Sequence, residues 1–248
     1  MKKTFLLFLL ISANLFSQSK LTGVVYYESG ISQQNIDHYF SKVRSTLKKK
    51  EQIKFADDFF LKSKKVESTL RFSLKEAIYE VKKKLNLKER GSIIEKTNLI
   101  SAGGLNIYYQ NTSDKNLEIQ NCTTLGECFI IISENNNKWQ LTQETKKIAG
   151  YLCYKATTVQ VKNNKKVNVI AWYVPNIPVS FGPKEYYGLP GLVIRVEESA
   201  ITYNAVNIVL NSKEKIKINE PKKGIKISED EFKANLNKSF DRITKKKN

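Results

Sequence analysis

The sequence is poor in the residues that do most catalysis and metal binding. Its 248 positions hold one histidine and three cysteines, too few for most His-based or Cys/His metal sites. His38, the only imidazole, sits on the helical segment between Asp37 and Tyr39, where a structural or exposed role is expected rather than a part in a Ser/His/Asp triad. Beyond the N-terminal stretch there is no apolar run of 18 residues, which excludes a membrane-spanning helix. Arginine is scarce as well. Of 42 Lys+Arg, only Arg44, Arg71, Arg90, Arg195 and Arg242 are arginine, and the formal net charge is +18. Phosphate and base recognition favour the arginine fork, whereas an excess of Lys and Asn is what an AT-rich genome produces without selection. No nucleic-acid partner is expected. The charge leaves room for weak attraction to anionic envelope glycans.

What is present starts with an address. Lys2 and Lys3 precede the apolar run Thr4 to Ile11, and small or polar residues follow at Ser12, Ala13 and Asn14. This is the order of a secretory signal peptide. Cleavage is expected after Ser17, giving a leader over 1–17 and one domain over 18–248. No cysteine lies near that site to carry a lipid anchor. The expected location is the periplasm or the cell envelope.

Hydrophobic periodicity then assigns a mostly β (α+β) fold. Leu21 to Tyr27 reads as a first strand. Ile36, Tyr39, Phe40, Val43 and Leu47 share one helical face over 31–50, an inserted helical segment that Asp57 to Leu61 extends or ends. Val66 to Leu74 and Ala77 to Val81 return to alternation, and 82–104 shows no period and is taken as loop. From Leu105 strands dominate: 105–110, 116–120, 128–133, 139–142, 151–161, 167–174, 192–197 and 201–210. Turns rich in Asn, Asp and Gly separate them, including Asn163-Asn164. Ser228 and Glu231 open a capped C-terminal helix. The expected architecture is a single antiparallel curved sheet or partial barrel.

Residues 145–197 carry the most information. They contain TKKIAGYLCYKA from Thr145, AWYVPNIP from Ala171, Phe181-Gly182-Pro183, and Tyr187-Gly188-Leu189-Pro190-Gly191-Leu192-Val193. This order resembles the GLPGLI family of secreted Bacteroidetes proteins, with Val193 in place of the final isoleucine. The resemblance extends from Leu21 to about Leu210 and implies no catalytic residue. Read on its own chemistry, Gly188 and Gly191 can take positive φ, while Pro190 holds Leu189 extended. Gly182-Pro183 forms a second turn, and Tyr186 and Tyr187 lie between. These residues, Gly182 to Gly191, are either a binding mouth presenting Leu189 and the tyrosines or a corner that carries one strand to the next.

No catalytic set is visible, and no cofactor is implied. Asp57-Asp58 and Glu197-Glu198 are adjacent, so their side chains diverge. In an oxidising compartment Cys122 and Cys128 can close a loop across Gly126, leaving Cys153 buried; a bond from Cys153 to either is the alternative. The expectation is an exported, non-enzymatic protein. It would bind an apolar or polypeptide ligand, or an envelope protein, on a concave sheet face. A structural role in an outer-membrane complex is the alternative, and a carboxylate hydrolase a third reading.

Overall fold

The computed structural model describes residues 21–82, 92–113, 116–135, 137–162, 165–213 and 215–245. The leader over 1–17, the Asn163-Asn164 turn, part of the 82–104 stretch and residues 246–248 lie outside them.

Among the described residues, twelve strands form one open sheet. They are β1 (Gly23–Ile31), β2 (Val66–Phe72), β3 (Glu76–Val81), β4 (Ile107–Asn111), β5 (Asn116–Asn121), β6 (Phe129–Glu134), β7 (Gln140–Ile148), β8 (Tyr151–Lys162), β9 (Lys165–Val174), β10 (Leu192–Glu198), β11 (Ile201–Leu210) and β12 (Ile225–Ser228). Their order is β12-β6-β5-β4-β3-β2-β1-β11-β10-β9-β8-β7. Two antiparallel meanders, β1 to β6 and β7 to β11, are joined where β1 pairs with β11. The short β12 runs parallel to β6 at one edge.

The period of two in the sequence becomes one buried face. Val25 lies opposite Leu70, Leu70 opposite Tyr79, and Tyr79 opposite Tyr108. The same face continues through Ala205 and Tyr203 on β11, Val196 on β10, Ala171 on β9 and Ala156 on β8. All of these residues are buried.

Helix α3 (Ile93–Ala102) and the β9–β10 connection, residues 175–191, lie on this face. The Tyr79 hydroxyl donates to the Ala102 carbonyl at 2.7 Å, and Tyr203 donates to the Ser101 carbonyl at 2.5 Å. Lys184 of the connection donates to Tyr203 on β11, while its carbonyl accepts from Gln110 on β4. Three strands separate β4 from β11, a flat distance of about 19 Å at the usual strand spacing. The sheet is curved and open, and the connection lies across its concave face. The concave face expected to receive an apolar or polypeptide ligand, or an envelope protein, is thus occupied by the chain itself.

Three local expectations change. The 82–104 stretch is not all loop: α3 begins at a capping box in which Glu95 N–H donates to Ser92 Oγ and Ser92 N–H to the Glu95 carboxylate. It stops where Gly103 and Gly104 take positive φ. The helical segment over 31–50 is broken into α1 (Gln33–His38), a π-helical turn (Tyr39–Val43) and a 3-10 turn (Arg44–Thr46), and α2 (Lys50–Lys62) follows as a separate helix. Leu47 is extended between them. Strand β12 had no counterpart in the sequence reading. The C-terminal helix does form, as α4 (Glu229–Lys245), capped by Ser228 and Glu231. It rests Phe232 edge-on against Phe129, with ring centroids 5.7 Å apart.

Candidate functional site

The connection 175–191 leaves β9 at Val174 and is folded back by its own backbone. Leu192 N–H donates to the Ile177 carbonyl, Val193 N–H to Phe181, and Gly188 N–H to Ser180. Tyr186 N–H donates to the Pro183 carbonyl across Lys184 and Glu185, and this tight turn puts Lys184 at φ 52. A non-glycine residue held there is strained, and the surroundings must fix it. Gly182 and Gly191 are required by space. A Cβ on Gly182 would sit 2.1 Å from the Tyr186 carbonyl oxygen, and one on Gly191 would sit 2.4 Å from that of Val174. Gly188, at φ 90, meets only the end of the Asn135 side chain.

The side chains of this segment point mostly inward. Tyr186 and Leu189 are buried with Tyr173, Val193, Val196 and Tyr203. Leu189, at 1% exposure, is inside the protein and not at a mouth. Gly182, Pro183 and Gly191 are buried, whereas Gly188 and Pro190 are exposed. Tyr187 is buried against the larger core cluster with Phe181, and its carbonyl accepts from Trp139 Nε1 at 2.9 Å.

Around Lys184 and Tyr186 the fold assembles a charge cluster that local sequence patterns do not reveal. Lys184 Nζ lies 3.1 Å from the Tyr203 hydroxyl, 3.4 Å from the Ser101 carbonyl and 3.5 Å from Glu185. Lys162, from the end of β8, donates to Glu185 at 2.9 Å, to the Tyr186 hydroxyl at 3.2 Å and to Glu198. Tyr186 donates to Glu198 at 2.5 Å. Two ammonium groups therefore face two carboxylates. Burial alone would raise the Glu185 carboxyl, but Lys184 and Lys162 outweigh it and hold the group down at about 2. Burial alone would lower the Lys184 ammonium, but Glu185, the tyrosines and Glu198 raise it well above the ordinary value. Burial, with Glu185 and Glu198 beside it, pushes the Tyr186 phenol far up. Glu185 is ionised and paired at neutral pH. It has no proton to donate, and Lys162 already occupies its oxygen. The pair converges as the hydrolase reading required, but Lys162 and the Tyr186 hydroxyl already hold the two carboxylates.

The opening next to the segment is a cleft of about 560 Å³ between the connection and the β4, β5 and β6 ends. Ser180, Phe181, Tyr187 and Gly188 form one wall, and Gln110, Asn111, Asn116 and Asn135 contribute to the other. Its polar groups are chiefly neutral amides and hydroxyls; Glu134 is the one carboxylate among the lining residues. Gln110 uses its amide nitrogen on the Lys184 carbonyl, and its Oε1 has no partner among the described residues.

The remaining candidates are separate from this place. Cys122 and Cys128 are joined by a disulfide, and Cys153 is a fully buried thiol that burial pushes up in pKa. His38 ends α1 and is exposed. Asp57 pairs with Arg44 and Asp58 with Lys62. Glu197 pairs with Arg195, on the opposite side from Glu198. Among the described residues no three His, Cys, Asp or Glu side chains converge to hold a metal. No helix among the described residues is long and apolar enough to cross a membrane.

Comparison with known proteins places the most distinctive sequence on this segment. The family described as "Protein of unknown function (Porph_ging)", a Bacteroidetes-associated domain, matches residues 160–195. That range runs from Gln160 near the end of β8, takes in Lys162, and continues through β9 and the whole connection into β10. No curated protein sequence matches the chain. Among solved structures, PNGF-II is similar in two crystal forms, C2 and P21, at 13% and 14% identity and a TM-score of 0.52 in each. Each match covers 88% of this chain and 33% of the other. The chain thus spans a third of the length of those structures, and the likeness is one of fold alone.

Proposed function

We propose that the protein is an exported, non-enzymatic binding protein of the cell envelope, of the GLPGLI type, and that it holds a polypeptide in the cleft beside the 182–191 segment. The observation that carries this reading is the character of the cleft walls. Neutral amides at Gln110, Asn111, Asn116 and Asn135 match the donors and acceptors of a peptide backbone, and Phe181 and Tyr187 offer aromatic surface beside them. An apolar ligand finds less support, because the inner sheet face is filled. The half-buried Glu185 and Glu198, both ion-paired to Lys162, favour binding over hydrolysis. Export is supported by the order of Lys2-Lys3, the apolar run and the small-residue exit.

The test is native purification from the envelope fraction followed by mass spectrometry of intact and co-purifying species. The chain should lack residues 1–17 and carry polypeptide. Asn111→Ala with Asn116→Ala should lose that polypeptide at an unchanged melting temperature. An identical co-purifying set for the double variant would remove the cleft from consideration. The alternative, a structural part of an outer-membrane complex, is favoured by the exposed Phe40 and Phe55 outside the sheet.

A further inference from the structure

The connection between β1 and β2, residues 32–65, is a helical arm tied to the body at Asn35–Ala200 and Ser63–Asn98, and it carries an apolar row that the other described residues leave partly exposed. Neither α1 nor α2 contains a buried residue, and Tyr39 alone is buried in the turns between them. The arm is braced internally. Tyr39 stacks on Phe60 with centroids 4.1 Å apart, and Asp57 accepts from Tyr39 and from both Nε and Nη2 of Arg44. From that brace a continuous line of rings runs outward. Phe40 touches Tyr39, Phe59 touches Phe60, and Phe55 stacks on Phe59. Phe55 is 49% exposed and Phe40 39%.

The arm is also strongly basic. Lys42, Lys48, Lys49, Lys50, Lys54 and Lys64 are exposed, and among the described residues none of them forms an ion pair; the arm pairs recorded are those of Arg44, Lys62 and Lys65. Exposed aromatic rings flanked by unpaired lysines fit one occupant by charge and polarity. We propose that this arm docks on the surface of a bilayer rich in anionic phospholipid, with Phe40, Phe55 and Phe59 entering the headgroup boundary and the lysines meeting the phosphates. A second copy of the chain is a poor occupant, because the same lysines would face each other across the contact. The proposal rests on the arm alone and is independent of the cleft.

The test uses the mature full-length chain and sedimentation with vesicles. Vesicles of phosphatidylglycerol and phosphatidylethanolamine should bind it at least tenfold more tightly than phosphatidylcholine vesicles, with affinity falling as salt rises. Phe40→Ser with Phe55→Ser should weaken binding several-fold without moving the melting temperature. Lys48→Glu, Lys49→Glu and Lys50→Glu together should weaken it on the order of a hundredfold. Equal binding to both lipid types, or wild-type binding by both folded variants, overturns the proposal. So does a concentration-dependent dimer, seen by sedimentation velocity, that Phe55→Ser abolishes.

Discussion

Two connections interrupt pairs of neighbouring strands, and they do opposite things with similar material. Residues 175–191 join β9 to β10 and turn inward, burying Tyr186, Tyr187 and Leu189. Residues 32–65 join β1 to β2 and turn outward, leaving Phe40, Phe55 and Leu61 exposed. Both are aromatic and both carry charge. The inward segment holds four of the five prolines, Pro175, Pro178, Pro183 and Pro190, while the arm holds none. Proline removes backbone donors and fixes φ, so the inward segment cannot form a helix and instead follows the curve of the sheet. The arm satisfies its own backbone as helix and needs no sheet to lie on. Their charges separate in the same way: Lys162 and Lys184 are neutralised by Glu185 and Glu198, whereas the arm's lysines are largely unpaired.

That contrast can be broken most severely at the two tight glycines. Gly182→Ala and Gly191→Val place a carbon against backbone that cannot swing away, and each should cost more than about 4 kcal/mol or prevent folding. Gly188→Ala meets only the Asn135 side chain and should lose about 1–2 kcal/mol to its positive φ. Denaturant unfolding checks the order; equal melts for all three would remove the close-approach argument. Leu189→Ala should cost about 2–5 kcal/mol, as for any filled core position. A stable Leu189→Ala variant would place that side chain outside the core.

The charge cluster sharpens the comparison through pH. Glu185 titrates lower when folded, at about 2, than its ordinary 4.5. It therefore adds stability above about pH 4.5 and loses it as pH falls from there toward 2, up to about 3 kcal/mol in all. The difference in unfolding midpoint between wild type and Glu185→Gln, followed from pH 6 to pH 2, should shrink across that window. A constant difference would mean that Glu185 is not held down by its lysines. The smallest effect belongs to the arm. Phe55→Ser should change stability by less than about 0.5 kcal/mol, since the ring is half exposed. A large loss in the same unfolding assay would show the arm to be part of the core.

Most strands were legible because one face of each is buried, and burial writes a period of two into the sequence. The misses have physical reasons. Helix α3 carries its capping box in plain view, but Ile93 and Ile100 are largely exposed, and apolar residues on both sides erase the helical stripe. Strand β12 is four residues long and exists through its parallel pairing with β6, a distant contact with no local trace. The charge cluster draws Lys162 from β8, Lys184 and Glu185 from the connection, Glu198 from β10 and Tyr203 from β11. Lys184-Glu185 set inside an otherwise apolar stretch was its one local sign. The cleft was invisible for the same reason, since its walls come from β4 to β6 and from residues 180–188.

The pairing of β1 with β11 also sets the order in which the molecule can be made. A chain that emerges from its N-terminus can build β1 to β6 in order, each strand pairing with its predecessor. The outer edge of β1 then waits unpaired until residues 201–210 arrive, and the part of the inner face that α3 leaves bare stays uncovered until 175–191 has passed. Closure of so long a loop is slow, and an open strand edge beside bare tyrosines is prone to aggregate meanwhile. Refolding should therefore show an early phase confined to the first meander and a later, rate-limiting one when the second meander docks on it.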